Sequence, residues 1–154
     1  MFKHTQPTGD LPPLKAKNVD GKRFYEHTET GEKYPSITSV LSIRQKEGLL
    51  KWRQRVGEEV ANHVMVQSAN RGTAVHNMVE DYLNNLDINE NEKYKKQFLP
   101  RMMFQVMKPL LNEHINNISL QEAQMFSTDY TVAGRVDCIA EFDGELSVID
   151  FKTS

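Results

Sequence analysis

One dipeptide near the end of the chain constrains its folding more than any other feature. In "AEFDGELSVID", Asp143-Gly144 is the pair preferred in two-residue type I′ hairpin turns, and apolar residues alternate on both sides of it. With those two residues as the loop, Phe142 faces Glu145. Counting outward sets Asp137 opposite Asp150 and Arg135 opposite Lys152. Side chains two apart share a face, so Lys152 joins Asp150 while Phe151 points away. Opposed residues hold their Cβ atoms about 4.5–5.5 Å apart, so two carboxylates are set against each other. Ile139, Val148, Cys138, Ile149 and Phe151 around them predict a central, largely covered hairpin. Folding has no use for that repulsion, whereas a divalent cation resolves it, because hard cations take carboxylate oxygens. A lysine on the same face would then assist an attacking water or a developing negative charge. The alternative is an ordinary hairpin whose two aspartates reach solvent, with Lys152 as an ion-pair partner. A bulge near Gly134 would also shift the pairs.

A helix upstream offers further ligands. "RGTAVHNMVED" places His76 and Glu80 one turn apart, at the edge of the apolar stripe formed by Val75, Met78, Val79, Tyr82 and Leu83. Imidazole and carboxylate are both metal ligands; the plainer reading is a surface His–Glu pair. Glu122, in "LQEAQMFS", is either another acidic group at the site or a solvated strand end. Arg71 and Gly72 suit a close backbone turn and a phosphate contact, or simply a helix break.

The rest of the chain divides by its spacing. Residues 1–20 hold three of the six prolines and read as a loose or extended arm. "RFYEHTETGEKYPSITSVLS" predicts a hairpin turning near Thr30-Gly31, then a helix capped by Ser36 or Thr38. Leu49, Leu50, Trp52 and Val56 form a helical stripe leading to Gly57, and Val60, Ala61, Val64 and Met65 form a second. "SANRGT" separates that from the His76 helix. "DINENEKYKK" is a connection or helix start. "QFLPRMMFQVMKPLLNEHI" is a helix bent or broken at Pro109, with Met102, Met103 and Met107 in its core stripe. Strands begin near Leu120.

Composition narrows the function. At 154 residues the chain suffices for one domain with a core, and its charged content of 26% is that of a globular protein. A formal net charge of −2 gives no strong general grip on a polyanion, so nucleic-acid contact would need a local basic lining or bound cations. The lone Cys138 cannot form an internal disulfide or hold an iron–sulfur cluster. It sits in an apolar alternation as a small core residue rather than a nucleophile. With a single cysteine, no secretory pattern and no membrane-length apolar run, the expectation is a protein of a reducing cytoplasm that makes no membrane contact.

These residues together resemble the PD-(D/E)XK nuclease superfamily, and more narrowly its RecB-like exonuclease group, which includes phage members. The likeness is carried by "RGTAVHNMVEDYL", the glutamate of "QEAQMFS", "AGRVD" and "VIDFKTS", with "YPSITSVLS" and "LLKWRQRVG" upstream, and so spans Tyr34 to Ser154. It implies an α/β (α+β) fold with a restriction-endonuclease-like core: helices on a central mixed sheet, a C-terminal antiparallel hairpin, and truncation after the catalytic strand. One nuclease-like domain would fill residues 1–154, as an arm and hairpin (1–33), a helical part (34–118) and catalytic strands (119–154).

By the same resemblance, Asp137, Asp150, the Phe151 carbonyl and His76 would hold Mg²⁺ or Mn²⁺. Glu80 would be a ligand or hold one in place, Glu122 would support the cluster, and Lys152 would orient the attacking water. The implied activity is metal-dependent exonucleolytic hydrolysis of DNA with single-strand preference, without an iron–sulfur cluster. Arg71, Arg135, Arg53 and Arg55, beside Lys51, would line a strand path, with Trp52 stacking on a base or anchoring a core. Two alternatives stay open: a catalytically silent nucleic-acid-binding or assembly module, and a structure-specific endonuclease. The resembled fold continues beyond Lys152 with a helix and another strand. A bare sheet flank, covered by self-association or a partner chain, is therefore expected.

Overall fold

A computed structural model describes residues 1–7, 9–42 and 46–153; Ser154, the end of the "VIDFKTS" stretch, lies outside them. The described elements run β1 (Leu14–Val19), β2 (Lys22–His27), β3 (Lys33–Pro35), α1 (Ile37–Leu41), α2 (Lys46–Val56), α3 (Glu58–Leu83), α4 (Glu92–Lys95), α5 (Phe98–His114), β4 (Ile115–Ser127), β5 (Val132–Phe142) and β6 (Glu145–Ile149). They make an α+β protein with two three-stranded sheets, β1-β2-β3 and β4-β5-β6. A single central mixed sheet was expected, and the described strands do not form one. Parallel geometry among them is confined to isolated bridges, His4 with Ile118 and Ser36 with Ala133. A parallel strand pair needs a crossover of about a dozen or more residues, whereas both sheets here join strands that are neighbours in sequence.

The elements fall into two compact units. The first comprises Met1–Thr8, His63–Glu122 and Asp137–Ser154; the second comprises Gly9–Asn62 and Ala123–Val136. In the second, β1 and β2 turn at Asp20-Gly21, both at positive φ (50° and 73°), with Val19 facing Lys22. That strand lies inside the stretch expected to be a loose arm. Tyr25, Tyr34 and Ala133 form this unit's buried cluster, with Leu14 and Phe126 packed against it. Ser36 occupies the N-cap of α1, its hydroxyl bonded to that of Thr38 (2.8 Å) rather than to a backbone N–H. Gly57, at φ 88°, separates α2 from α3 as its position predicted.

The first unit carries the larger core. Val75, Met78, Val79 and Leu83 of α3 pack with Phe104 and Leu111 of α5, Ile118 of β4, Cys138 and Ala140 of β5, and Phe151. The α3 helix runs unbroken through "SANRGT". One interior glycine costs only about 1 kcal/mol relative to alanine, and the four fully buried residues that follow outweigh it. Pro109 likewise lies inside an uninterrupted α5. Met103 and Met107 pack on the core as expected, whereas Met102 is exposed. Of the second expected stripe only Ala61 is buried, and Val60, Val64 and Met65 are exposed. The first residues of the chain are tied down too: Ile118 N–H donates to the Lys3 carbonyl, and Thr5 N–H to the Ile118 carbonyl, both at 2.8 Å.

The β5–β6 hairpin has the register its turn predicts, from Phe142 opposite Glu145 to Cys138 opposite Ile149. Asp143 and Gly144 both have positive φ (52° and 85°), as a type I′ turn requires. It is covered on one face only. Cys138 and Ala140 are buried, but Leu146 and Val148, on the opposite face, are about three-quarters exposed.

His114, at the end of α5, fastens this turn. Its Nδ1 donates to Asp143 Oδ1 (2.7 Å), its ring stacks on Phe142, and its carbonyl accepts the Asp143 N–H (2.9 Å). The Asp143 hydrogen bond raises the His114 pKa above its ordinary 6.5, against a lowering by burial. A raised folded pKa means stabilisation that is fully present below pH 6.5 and is lost as pH rises through the folded value. Asp143→Asn keeps a residue suited to the turn and removes the charge. The urea midpoint of that variant should therefore change less with pH, from 6.5 upward, than that of the wild type.

Candidate active site

The site is built around one peptide. After Ile149 the chain leaves the ladder, and the Phe151 ring enters the core of the first unit. The Phe151 N–H donates to Asp137 Oδ2 (2.9 Å), and the Phe151 carbonyl accepts from His76 Nε2 (2.7 Å). A carbonyl can only accept, so Nε2 carries a proton. The other ring nitrogen, Nδ1, lies 3.6 Å from Asp137 Oδ2, too far for a good hydrogen bond. Ligating histidines usually show this arrangement, with the distal N–H fixed by a backbone carbonyl and the proximal nitrogen turned to the site.

Glu122 completes the group. Ligand atoms of His76, Glu122 and Asp137 all lie within 4.8 Å of one another, and all three residues are half-buried. Glu122 has φ 49° inside β4. For a residue other than glycine such a conformation costs about 1–3 kcal/mol, and it persists where the surroundings enforce it. One imidazole nitrogen and two carboxylates suit a divalent cation such as Mn²⁺ or Mg²⁺, the nitrogen tilting the preference away from an all-oxygen site.

Asp150 lies beyond the ladder, with Lys152 beside it as expected. Asp137 does not face Asp150 across the ladder, because the last pair is Cys138 with Ile149 and the Asp137 carboxylate takes the Phe151 N–H instead. Asp150 and Lys152 flank the anchored Phe151, both exposed, and pair with each other at 2.6 Å. That is the ion pair named above as the alternative. The Phe151 carbonyl, expected as a metal ligand, holds His76. Glu80, one turn beyond His76, is half-buried and outside the ligand group, and its charge acts on Tyr94 together with that of Asp81.

The basic candidates lie in several places. Arg71 and Gly72 are inside α3, where sequence had put a break; a Cβ at Gly72 would meet Thr153 Oγ1 at 3.4 Å, an ordinary contact. Arg53 donates to Glu58 (2.7 Å) and Asn62 (2.6 Å), bracing the corner after α2. Lys51 pairs with Glu47, Trp52 is half-buried, and Arg55 and Arg135 are exposed. The Cys138 thiol is fully buried and its pKa is pushed up to about 11, chiefly by that burial, which keeps it an inert core residue. Sequence reading missed the buried Tyr94 hydroxyl, which donates to Asp81 (2.5 Å); an aromatic within a polar run was the available signal.

No family model matches this chain. It is similar to mitochondrial genome maintenance exonuclease 1 of Xenopus tropicalis, with 29% identity over 128 residues, 78% of this chain and 36% of that protein. The chain thus spans about a third of the length of that relative. The likeness is to an exonuclease. No helix among the described residues is long and apolar enough to cross a membrane.

The Phe151 clamp has a measurable weight. Asp137→Ala leaves the Phe151 N–H without its acceptor and should cost about 1–3 kcal/mol in urea unfolding. Asp137→Asn retains an accepting oxygen and should cost clearly less.

Proposed function

We propose that this protein is a metal-dependent deoxyribonuclease that degrades DNA from single-stranded ends. The observation that carries the reading is the convergence of His76, Glu122 and Asp137 ligand atoms within 4.8 Å beside the pinned Phe151 peptide. The similarity to an exonuclease supports it, as does the order of "AGRVD" and "VIDFKTS" along the chain. In this reading His76 Nδ1, Asp137 and Glu122 hold Mg²⁺ or Mn²⁺, and the Phe151 carbonyl fixes the tautomer of His76. Asp150, held by Lys152 in an exposed ion pair, would be a further ligand. The ion would supply Lewis-acid polarisation of the phosphodiester.

Lys152 stabilises the charge that develops on the phosphate oxygens and orients the attacking water. A new bond forms from the water oxygen to phosphorus, the P–O ester bond breaks, and a proton ends on the departing oxygen. The second reading, a binding module without turnover, draws on the Asp150–Lys152 pair, which occupies both residues with each other.

The test is degradation of linear against circular single-stranded DNA with Mn²⁺ or Mg²⁺. Wild type should consume the linear strand alone. Lys152→Ala should slow this by about 10²-fold or more, in line with the loss of one charge-stabilising group, and Asp137→Asn should do the same. Equal cleavage of circles would make it an endonuclease. Binding without cleavage would favour the silent module.

A further inference from the structure

A cleft outside the ligand group remains unaccounted for. Helical spacing returns residues 67, 70, 71, 74 and 77 to one face of α3, and with the stretch from Lys96 to Pro100 they line a cleft of about 530 Å³. Its lining includes Arg71 and Lys96 and, among the described residues, no carboxylate, in a chain whose acidic residues outnumber its lysines and arginines. Arg71 Nε and Gln97 Oε1 are buried polar atoms with no hydrogen-bond partner among the described residues. Arg71 reaches Ser68 Oγ only through Nη2, at 3.4 Å. Arg71 and Gln97 belong to one lining, with Asn70 and Asn77 in it as well. The Phe98 ring on the same lining is 78% exposed.

Phosphate oxygens satisfy the guanidinium and ammonium, base edges match amides, and an exposed ring stacks on any unpaired base. Asn77 is turned about 100° around the helix from His76, so the cleft adjoins the helix face that carries the ligand. On these grounds, and resting on the nuclease reading above, we infer that this cleft is a subsite for a single nucleic-acid strand. Arg71 and Lys96 hold its phosphates, and Phe98 lies against one base. A duplex keeps its bases stacked on each other, so Phe98 selects unpaired strands.

The test is fluorescence anisotropy of the whole chain with a short labelled thymidine oligonucleotide and its abasic counterpart, in EDTA so that nothing is cut. Phe98→Ala should weaken the thymidine strand about tenfold, a typical loss for one stacked base, and leave the abasic strand unchanged. Arg71→Gln with Lys96→Ala should weaken both strands. It should also lower the slope of log affinity against log salt by about 1.4, at 0.7 per phosphate on a single strand. Equal effects of Phe98→Ala on both strands, an unchanged salt slope, or no binding by wild type would overturn the inference. Cleavage by wild type and Asp137→Asn is followed in parallel. Unaltered binding by the cleft variants, with cleavage lost in Asp137→Asn, removes the subsite and leaves the nuclease. The predicted binding pattern without cleavage by wild type does the reverse.

Discussion

The Phe151 peptide holds the candidate site together. Its ring is part of the first unit's core, its N–H is held by Asp137 and its carbonyl by His76, so one residue fastens β5, the chain after β6 and α3. Burial of the ring supplies the driving force, and the two hydrogen bonds satisfy backbone groups that would otherwise be costly away from water. The consequence for chemistry is orientation. A histidine whose Nε2 proton is committed to a carbonyl presents only Nδ1 to its carboxylate neighbours.

The same clamp lies where the ladder ends: Asp137 and Asp150 are not a ladder pair, and the Asp137 carboxylate takes the Phe151 N–H. A type I′ turn sets the register of every pair outward from Phe142 and Glu145, and that much was legible from Asp143-Gly144. Sequence could not reveal that the ladder stops one pair short of Asp137 and Asp150. The stop depends on where Phe151 finds its core, a tertiary matter. Asp20-Gly21 carries the same turn signal, but Pro7, Pro12 and Pro13 ahead of it read as a loose arm. The reverse holds at "SANRGT", where a single glycine reads as a break although Val75, Met78, Val79 and Leu83 bury the helix firmly enough to carry it through. Glu122 was legible only as a residue type. Its positive φ, which no residue pattern advertises, accompanies its place beside His76 and Asp137.

Charge is organised locally rather than by the chain as a whole. A net charge of −2 says little about a polyanionic substrate, yet the carboxylates of Glu122 and Asp137 gather with one imidazole while Arg71 and Lys96 line a cleft without acids. In the proposed function, that separation would let a cation and a phosphate chain each meet its own complement. The likeness to an exonuclease covers most of this chain but about a third of that relative.

The most direct measurement is pulsed electron paramagnetic resonance on Mn²⁺ titrated into the protein. One tightly held ion is expected, its echo modulation carrying the coupling of a directly bound imidazole nitrogen that is lost in His76→Ala. An ion bound with no nitrogen coupling, or a coupling unchanged by that substitution, would contradict the placement of the centre at His76, Glu122 and Asp137.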